Sequence, residues 1–213
     1  NGYEWGNEKG IVGALDLTTL TYGNEIDLGP DGKNPDNLMV YNGKLYTVNN
    51  KDWSGSSVSE ISLGSGVANT VNLANAGTGC GTSALRDDKL VYQISMETTL
   101  NEFDMSVMNT TGPVVGHQVN YYELAQEPVS GNFYCSETDF FSYGTVHIFD
   151  GTNTEISQFA VSTSPGTVVF DVRPSVGLTE INDGLAVYPN PANDLVNVDH
   201  VGEKLVYALD GTL

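Results

Sequence analysis

Positive charge is scarce in this sequence. The 213 residues include 27 Asp or Glu but only 8 Lys or Arg, so the formal net charge is -19. Proteins that bind nucleic acids depend on clustered Lys and Arg, which replace counterions at the phosphates. Anionic membrane surfaces attract the same basic residues. The composition therefore predicts no nucleic-acid partner and disfavours an anionic membrane surface.

Long apolar runs and familiar catalytic motifs are also missing. No run approaches the ~18 to 20 apolar residues of a membrane span, so we predict no such span. The sequence contains no HExxH or GxSxG motif, and its three histidines are scattered. We therefore predict no enzymatic activity, name no catalytic residue and leave the cofactor unassigned.

The chain has two cysteines, Cys80 and Cys135, and they form no CxxC pair. A metal site built on them is therefore not expected. The two thiols either form one disulfide in an oxidising compartment or remain unpaired and buried. Both alternatives stay open at this point.

A repeat of about 44 residues runs along the chain. Short apolar strands recur with anchors 45 and 43 residues apart, at Leu45, Leu90 and Phe133. A second series ends a strand at intervals of 46, 42 and 46, at Leu15, Ile61, Phe103 and Phe149. A third series, spaced 46, 40 and 44, gives strand centres at Leu38, Ala84, Leu124 and Val168. Three registers with one period predict a repeat architecture.

Each repeat contains four predicted strands joined by Gly, Asn and Ser turns. In the second repeat the predicted strands cover residues 36–41, 44–49, 57–63 and 68–73. One segment competes with this assignment, because four apolar residues between Met96 and Val107 fall at helical spacing. The repeat register favours a strand over residues 100–104, so we predict a strand there.

Four antiparallel strands per repeat of ~40 to 50 residues are typical of a β-propeller blade. We predict an all-β fold with about four visible blades over residues 1–173. These blades either close as a ring of four or belong to a larger ring of seven. We favour the larger ring, with upstream blades preceding Asn1, because the sequence starts without Met.

The C-terminal segment carries a distinctive motif. Two prolines lie two residues apart before a predicted strand, within the run Tyr188, Pro189, Asn190, Pro191 and Ala192. This segment closely resembles the start of the type A sorting domain of the type IX (Por) secretion system of Bacteroidetes. The repeat register stops before this motif, and the polar stretch at 179–184 predicts a linker, at 174–184. The resemblance implies a partial sorting domain, the start of a small β-sandwich, at 185–213. It also implies the secretion machinery as a partner and an extracellular or outer-membrane surface location.

The remainder resembles the YncE-like and DUF5074-type surface propellers of the same bacteria. The residues that carry the resemblance are 34–37, 43–50, 138–146 and 164–166. The resemblance implies a propeller, and some members of such families capture small molecules such as corrinoids. It supplies no catalytic motif that can be transferred to these positions.

Ligand-binding candidates fall in loops that a propeller would bring to one face. Both tryptophans lie in corresponding loops between second and third strands, and such loops vary over a rigid scaffold. Aromatic side chains there suit a sugar, a flat cofactor or a protein anchor, although they equally suit gaps between blades. The candidates are Tyr3, Trp5, Asp52, Trp53, His117, Tyr121, Tyr122, Asp139, Phe140 and Tyr143.

Acidic and amide groups cluster at residues 34–37, 49–52 and 137–139. Such oxygen atoms suit Ca²⁺, but Asn and Asp also form turns, so the metal is left unknown. Three functional hypotheses follow. The first is a secreted or surface binding protein for a small, corrinoid-like molecule, a glycan or a protein. The alternatives are a propeller enzyme, such as a lyase or a quinoprotein-like enzyme, and a structural or adhesion protein.

Overall fold

A computed structural model describes residues 9–172 and the backbone of two short strands at 186–188 and 197–199. Within this part of the chain, every regular element is a β-strand except the single-turn 3-10 helix Lys51–Trp53. The all-β prediction is confirmed.

Three four-stranded antiparallel sheets follow one another along the chain, and we call them blades A, B and C. Each strand pairs with the next one in sequence. Blade A contains β3 (Pro35–Tyr41), β4 (Lys44–Asn49), β5 (Ser56–Ser62) and β6 (Val67–Ala74). Blade B contains β7 (Thr78–Arg86), β8 (Lys89–Ile94), β9 (Leu100–Asp104) and β10 (Asn109–Val114). Blade C contains β11 (Glu123–Gln126), β12 (Phe133–Glu137), β13 (Thr145–Phe149) and β14 (Glu155–Ala160).

A two-stranded antiparallel sheet precedes blade A. It consists of β1 (Ile11–Asp16) and β2 (Thr21–Asp27). In the repeat register, these strands correspond to the third and fourth strands of a blade. The four strands predicted for the second repeat match β3 to β6 to within one residue at each end.

The segment with helical spacing forms a strand, as the repeat register predicts. β9 pairs with β8 on one side and with β10 on the other. Leu100 and Phe103 are both fully buried, but they belong to different apolar clusters. Residues three apart point to opposite faces of a strand, whereas on a helix they would share one face. The neighbouring strands therefore decide the conformation here.

The strand predicted around Val168 is absent, so this part of the repeat prediction is wrong. Residues 161–172 contain no strand. A first strand needs a second strand as its hydrogen-bonding partner, and no described strand pairs with this segment. It instead lies beside blade C, where the Ser136 hydroxyl donates to the Pro165 carbonyl at 2.8 Å.

The blades pack face to face through side chains that alternate along β8. Leu90, Tyr92 and Ile94 join a cluster with blade A, which includes Tyr46 and Val48. Val91 points the other way and joins a cluster with blade C, which contains Phe133, Cys135 and Phe149. Alternate residues of a strand point to opposite faces, so these two clusters bury both faces of blade B.

The first strands of the blades lie side by side. β7 contacts β3 of blade A and β11 of blade C. Asn37 on β3 reinforces one of these contacts, because its side-chain amide donates to the Ser83 carbonyl at 2.8 Å. This arrangement of first strands on the inner side, with blades packed face to face, is that of neighbouring propeller blades.

The chain divides into two compact units, Asn1–Val172 and Arg173–Leu213. The second unit contains the short antiparallel strands β15 (Ala186–Tyr188) and β16 (Asn197–Asp199), in which Val187 pairs with Val198. The linker at 174–184, the sorting domain at 185–213 and the total number of blades stay predictions.

Replacing Phe103 tests whether inter-blade packing stabilises the fold. Phe103→Ala should lower the free energy of unfolding by about 3 to 5 kcal/mol, because a buried ring is lost and a cavity remains. Val107→Ala is the control, since Val107 is 67% exposed in the following turn, and it should change stability by less than about 0.5 kcal/mol. Urea unfolding measures both. Equal destabilisation by the two substitutions would contradict this account of the core.

Candidate functional site

Three equivalent loops join the second strand of each blade to the third, and we call the side on which they lie the loop face. They follow β4, β8 and β12. Each carries one bulky apolar residue in the left-handed backbone region, namely Trp53 (φ 65°), Met96 (φ 69°) and Phe140 (φ 67°). These residues are 43 and 44 residues apart, so they occupy equivalent places in the repeat.

These three side chains are also exposed to solvent. The exposed fraction is 55% for Trp53, 88% for Met96 and 57% for Phe140. A left-handed conformation costs a non-glycine residue about 1 to 2 kcal/mol, and exposed side chains recover little of this through packing. Leu20, in the turn between β1 and β2, is likewise left-handed and 73% exposed, so strain by itself does not mark a site. The three loop residues differ in recurring at one place in the repeat, and strained backbone of this kind is found at functional sites, so the loop face is the candidate site.

A cavity of about 320 Å³ opens among these loops, and we call it the loop-face cavity. It brings together four candidates that the sequence predicts, from all three blades or their connections. Its described lining consists of Trp53, Gly79, Thr82, Gln93, Ile94, Ser95, Met96, Asn120, Tyr121, Tyr122 and Phe140. None of these residues carries a charged side chain.

Hydrogen bonds from blade B hold the tyrosine pair at the cavity. Gln93 is buried on β8, where its side-chain amide donates to the Val119 carbonyl at 2.8 Å. The side-chain oxygen of Gln93, Oε1, accepts a hydrogen bond from the backbone N–H of Tyr121 at 2.7 Å. The Thr82 hydroxyl donates to the Tyr122 carbonyl at 3.1 Å. The segment before β11 is therefore fixed by side chains of the adjacent blade.

The rings of Tyr122 and Phe140 meet edge to face. Their centroids are 5.3 Å apart and their planes lie at 84°. Tyr121 is buried below them, and burial raises the pKa of its hydroxyl. The cavity thus combines two aromatic rings in contact with a tyrosine pair whose backbone is held by blade B.

His117 lies in the core and does not line the cavity. Its ring packs on Phe149 with centroids 4.2 Å apart, and its Nδ1 atom lies 3.3 Å from the Tyr121 hydroxyl. Burial lowers the pKa of His117 to about 4, and the positive charge of Arg86 acts in the same direction. His117 is therefore neutral at physiological pH and completes the packing beneath Tyr121.

Asp139 and Tyr143 occupy the loop after β12 but do not line the cavity. The Asp139 carboxylate accepts hydrogen bonds from the Ser142 hydroxyl and from the backbone N–H groups of Ser142 and Phe141. These bonds, that from the Ser142 hydroxyl first, lower the pKa of Asp139 to about 2. Asp139 therefore shapes this loop as an ionised turn residue, and Tyr143 is 78% exposed beside it.

Several candidates fall outside the described residues. Tyr3 and Trp5 lie before residue 9, and the side chain of Asp52 is not described. In the sorting motif, Tyr188 ends β15, whereas Pro189, Asn190, Pro191 and Ala192 lie outside the described part.

The amide clusters that suggested Ca²⁺ make structural hydrogen bonds. The Asn49 amide donates to the hydroxyls of Ser57 and Ser59 at 2.9 Å each, and the Asn34 amide donates to the Asn50 side chain. Among the described residues, no three His, Cys, Asp or Glu side chains are grouped so that they could hold a metal ion. Cys135 is a free, buried thiol.

One carboxyl group on an inner strand is perturbed. Burial raises the pKa of Glu123 on β11 to about 7, and the negative charge of Asp36 on β3 adds to the effect. Neither side chain lines the loop-face cavity. The electrostatically unusual carboxyl and the cavity are therefore separate features.

Sequence reasoning missed Met96, Thr82, Gln93 and Asn120. Met96 could have been found, since it lies at the repeat spacing from both Trp53 and Phe140. Its spacing to Leu100 and Phe103 suggested a helix instead. Thr82, Gln93 and Asn120 come from different parts of the chain, and only the folded structure places them on one cavity.

Of the comparisons with known proteins, the one with solved structures supports this architecture. No family model matches the chain, and none of the curated proteins matches it. Among solved structures, it is similar to a chain of the crystal structure of the mitotic checkpoint complex, with a TM-score of 0.53 and 13% identity. The alignment covers 71% of this chain and 46% of the other. At this identity, the likeness shows the fold alone.

The blades and this likeness together define the class: the chain is a β-propeller protein. A propeller is a rigid scaffold whose loops suit binding. Within the described residues, no helix is long and apolar enough to cross a bilayer.

Met96→Gly tests the strain at the loop face. Glycine adopts the left-handed region freely, so this substitution should raise the free energy of unfolding by about 1 kcal/mol. Val129 is similarly exposed, at 77%, but its backbone is not left-handed. Val129→Gly should therefore lower stability by about 0.5 to 1 kcal/mol. Chemical denaturation compares the two, and a loss of stability in both variants would refute the strain at Met96.

Proposed function

We propose that this chain is the propeller part of an exported, non-enzymatic protein that captures a small ligand in the loop-face cavity. The observation that carries the proposal is the ring of repeat-equivalent side chains, Trp53, Met96 and Phe140, held in left-handed backbone around one cavity. Glycine would adopt this backbone without strain, yet each of the three loops carries a bulky side chain that lines the cavity. Contact with a ligand would account for these bulky side chains.

The chemistry of the cavity supports binding rather than catalysis. General acid–base or nucleophilic catalysis needs titratable groups within reach of the reacting atoms. No Asp, Glu, His, Lys, Arg or Cys is among the described lining residues. Glu123 is the described carboxyl that an enzyme hypothesis would use, but it does not face this cavity. We therefore retain binding as the function.

The size and lining of the cavity favour a small molecule or a single projecting group. A volume of about 320 Å³ falls at the lower end of the ~300 to 1,000 Å³ of ligand pockets. Aromatic side chains supply large contact area at low entropic cost. A flat structural interface has no need of such a cavity, which argues against a purely adhesive role.

A ligand panel tests the binding proposal. The full chain is heated alone and with neutral oligosaccharides, a corrinoid, haem, choline and Ca²⁺ at high concentration. A ligand at ~100 times its Kd contributes about 2.7 kcal/mol of stability, which should raise the melting temperature by roughly 5 to 10 °C for a chain of this size.

The same panel is repeated with Trp53→Ala, with Phe140→Ala and with the double variant that carries both changes. The double variant should show no shift in melting temperature. Phe141→Ala is the matched control, because Phe141 is 91% exposed and does not line the cavity. It should keep the full shift. A shift that survives in the double variant Trp53→Ala, Phe140→Ala, or the absence of any shift, would sink the proposal.

Export by the type IX secretion system is the second part of the proposal, and it is supported by the motif at 188–192. The full chain with a reporter should reach the medium or cell surface of a Bacteroidetes host. It should remain in the periplasm of a strain that lacks the secretion system. Pro189→Ala with Pro191→Ala should reduce export several-fold, whereas Pro128→Ala should not. Equal distribution in both strains would contradict the route.

A further inference from the structure

Aromatic side chains line the loop-face cavity. Tyr122 and Phe140 form an 84° corner, and Trp53 lies on the same lining. The face of an aromatic ring carries partial negative charge, while its edge carries positive charge. A cation that lies over the face of any of these rings is attracted to it, most strongly over Trp.

Several polar side chains of the cavity form hydrogen bonds within the protein. Gln93 bonds with the backbone at Val119 and Tyr121, and the Thr82 hydroxyl donates to the Tyr122 carbonyl. The Asn120 amide donates to the Glu97 carbonyl at 2.8 Å. A sugar depends on free protein groups that pair with its hydroxyls, since unpaired polar groups are costly to bury. The cavity is better suited to a group that requires no hydrogen bonds.

The loops that carry the three bulky residues also contain acidic residues. An acidic residue adjoins each bulky residue of the three loops, as the pairs Asp52–Trp53, Met96–Glu97 and Asp139–Phe140. The whole chain has a net charge of -19. Such a potential repels anions and raises the local concentration of cations.

A strongly hydrated cation, such as a metal ion or a primary ammonium, needs oxygen ligands or a carboxylate partner when it leaves water. The described lining has no carboxylate. A methylated ammonium is weakly hydrated, donates no hydrogen bond when fully methylated, and combines positive charge with an apolar surface. It therefore matches aromatic walls in a strongly acidic protein.

We propose that the loop-face cavity recognises a quaternary ammonium group, with Trp53, Tyr122 and Phe140 as its aromatic walls. This inference rests on the proposed function, because it names the class of ligand that the same cavity binds. The group is carried either by a small solute of the choline type or by a trimethylated lysine side chain.

The decisive comparison uses choline and 3,3-dimethyl-1-butanol, a neutral molecule of nearly the same shape. In calorimetric titrations of the full chain at low salt, choline should bind about tenfold more tightly than the neutral isostere. Added salt should weaken choline binding and leave the isostere unchanged. A peptide with trimethyl-lysine, measured beside its unmethylated form, distinguishes the two sources, and tight binding of either methylated probe supports the inference.

Variants connect the effect to the walls. Trp53→Leu and Phe140→Leu keep apolar surface but remove the ring faces, so each should weaken choline binding about five- to tenfold. Both positions are more than half exposed, so the fold should persist, and a melting curve checks this. Phe141→Leu should bind choline as the parent chain does.

The outcomes separate this inference from the proposed function. Equal affinity for choline and the neutral isostere would overturn recognition of a cation while leaving a binding cavity. Binding of oligosaccharide, corrinoid or haem through Trp53, with no binding of either methylated probe, would also overturn the inference alone. Failure of every ligand would overturn both.

Discussion

Blade B has two buried faces, and the rest of the propeller unit depends on this double packing. Alternate residues of β8 contact blade A through Tyr92 and blade C through Val91. A lone four-stranded sheet could bury at most one face against its own loops. Burial of apolar area on both faces is what offsets the conformational entropy of ordering the chain. The blades therefore stabilise one another, as in other repeat folds.

The loop face depends on that packing in two ways. The stacked blades fix the ends of β4, β8 and β12, so residues of the loops that follow them line one cavity. The packed core also supplies the stability that offsets left-handed backbone at Trp53, Met96 and Phe140. Positioning of the cavity floor is likewise shared between blades, since Gln93 of blade B holds the backbone of Tyr121 before blade C. A ligand at this cavity would contact elements from several repeats at once.

The sequence was most informative where the repeat and the period of two agreed. Spacing near 44 residues placed the strands of blades A, B and C, and it overruled the helical spacing between Met96 and Val107 correctly. It failed at Val168, because the spacing of a repeat carries no information about whether a neighbouring strand is present to form hydrogen bonds. It identified Trp53, Tyr121, Tyr122 and Phe140 as members of one face. It could not distinguish His117, which lies in the core, because burial of a polar side chain depends on what packs over it.

The amino-acid sequence by itself determined the all-β class, the blade length, the acidic surface and the loops in which large aromatic residues occur. These properties follow from composition and from local periodicity, which the printed sequence contains. Only the tertiary structure decided which of those side chains share a cavity, that Met96 belongs with them, and that Gln93 and Thr82 hold the backbone of the tyrosine pair. The reason is that hydrogen-bond partners and neighbours in space come from strands about 44 residues apart, and their meeting depends on how the blades pack.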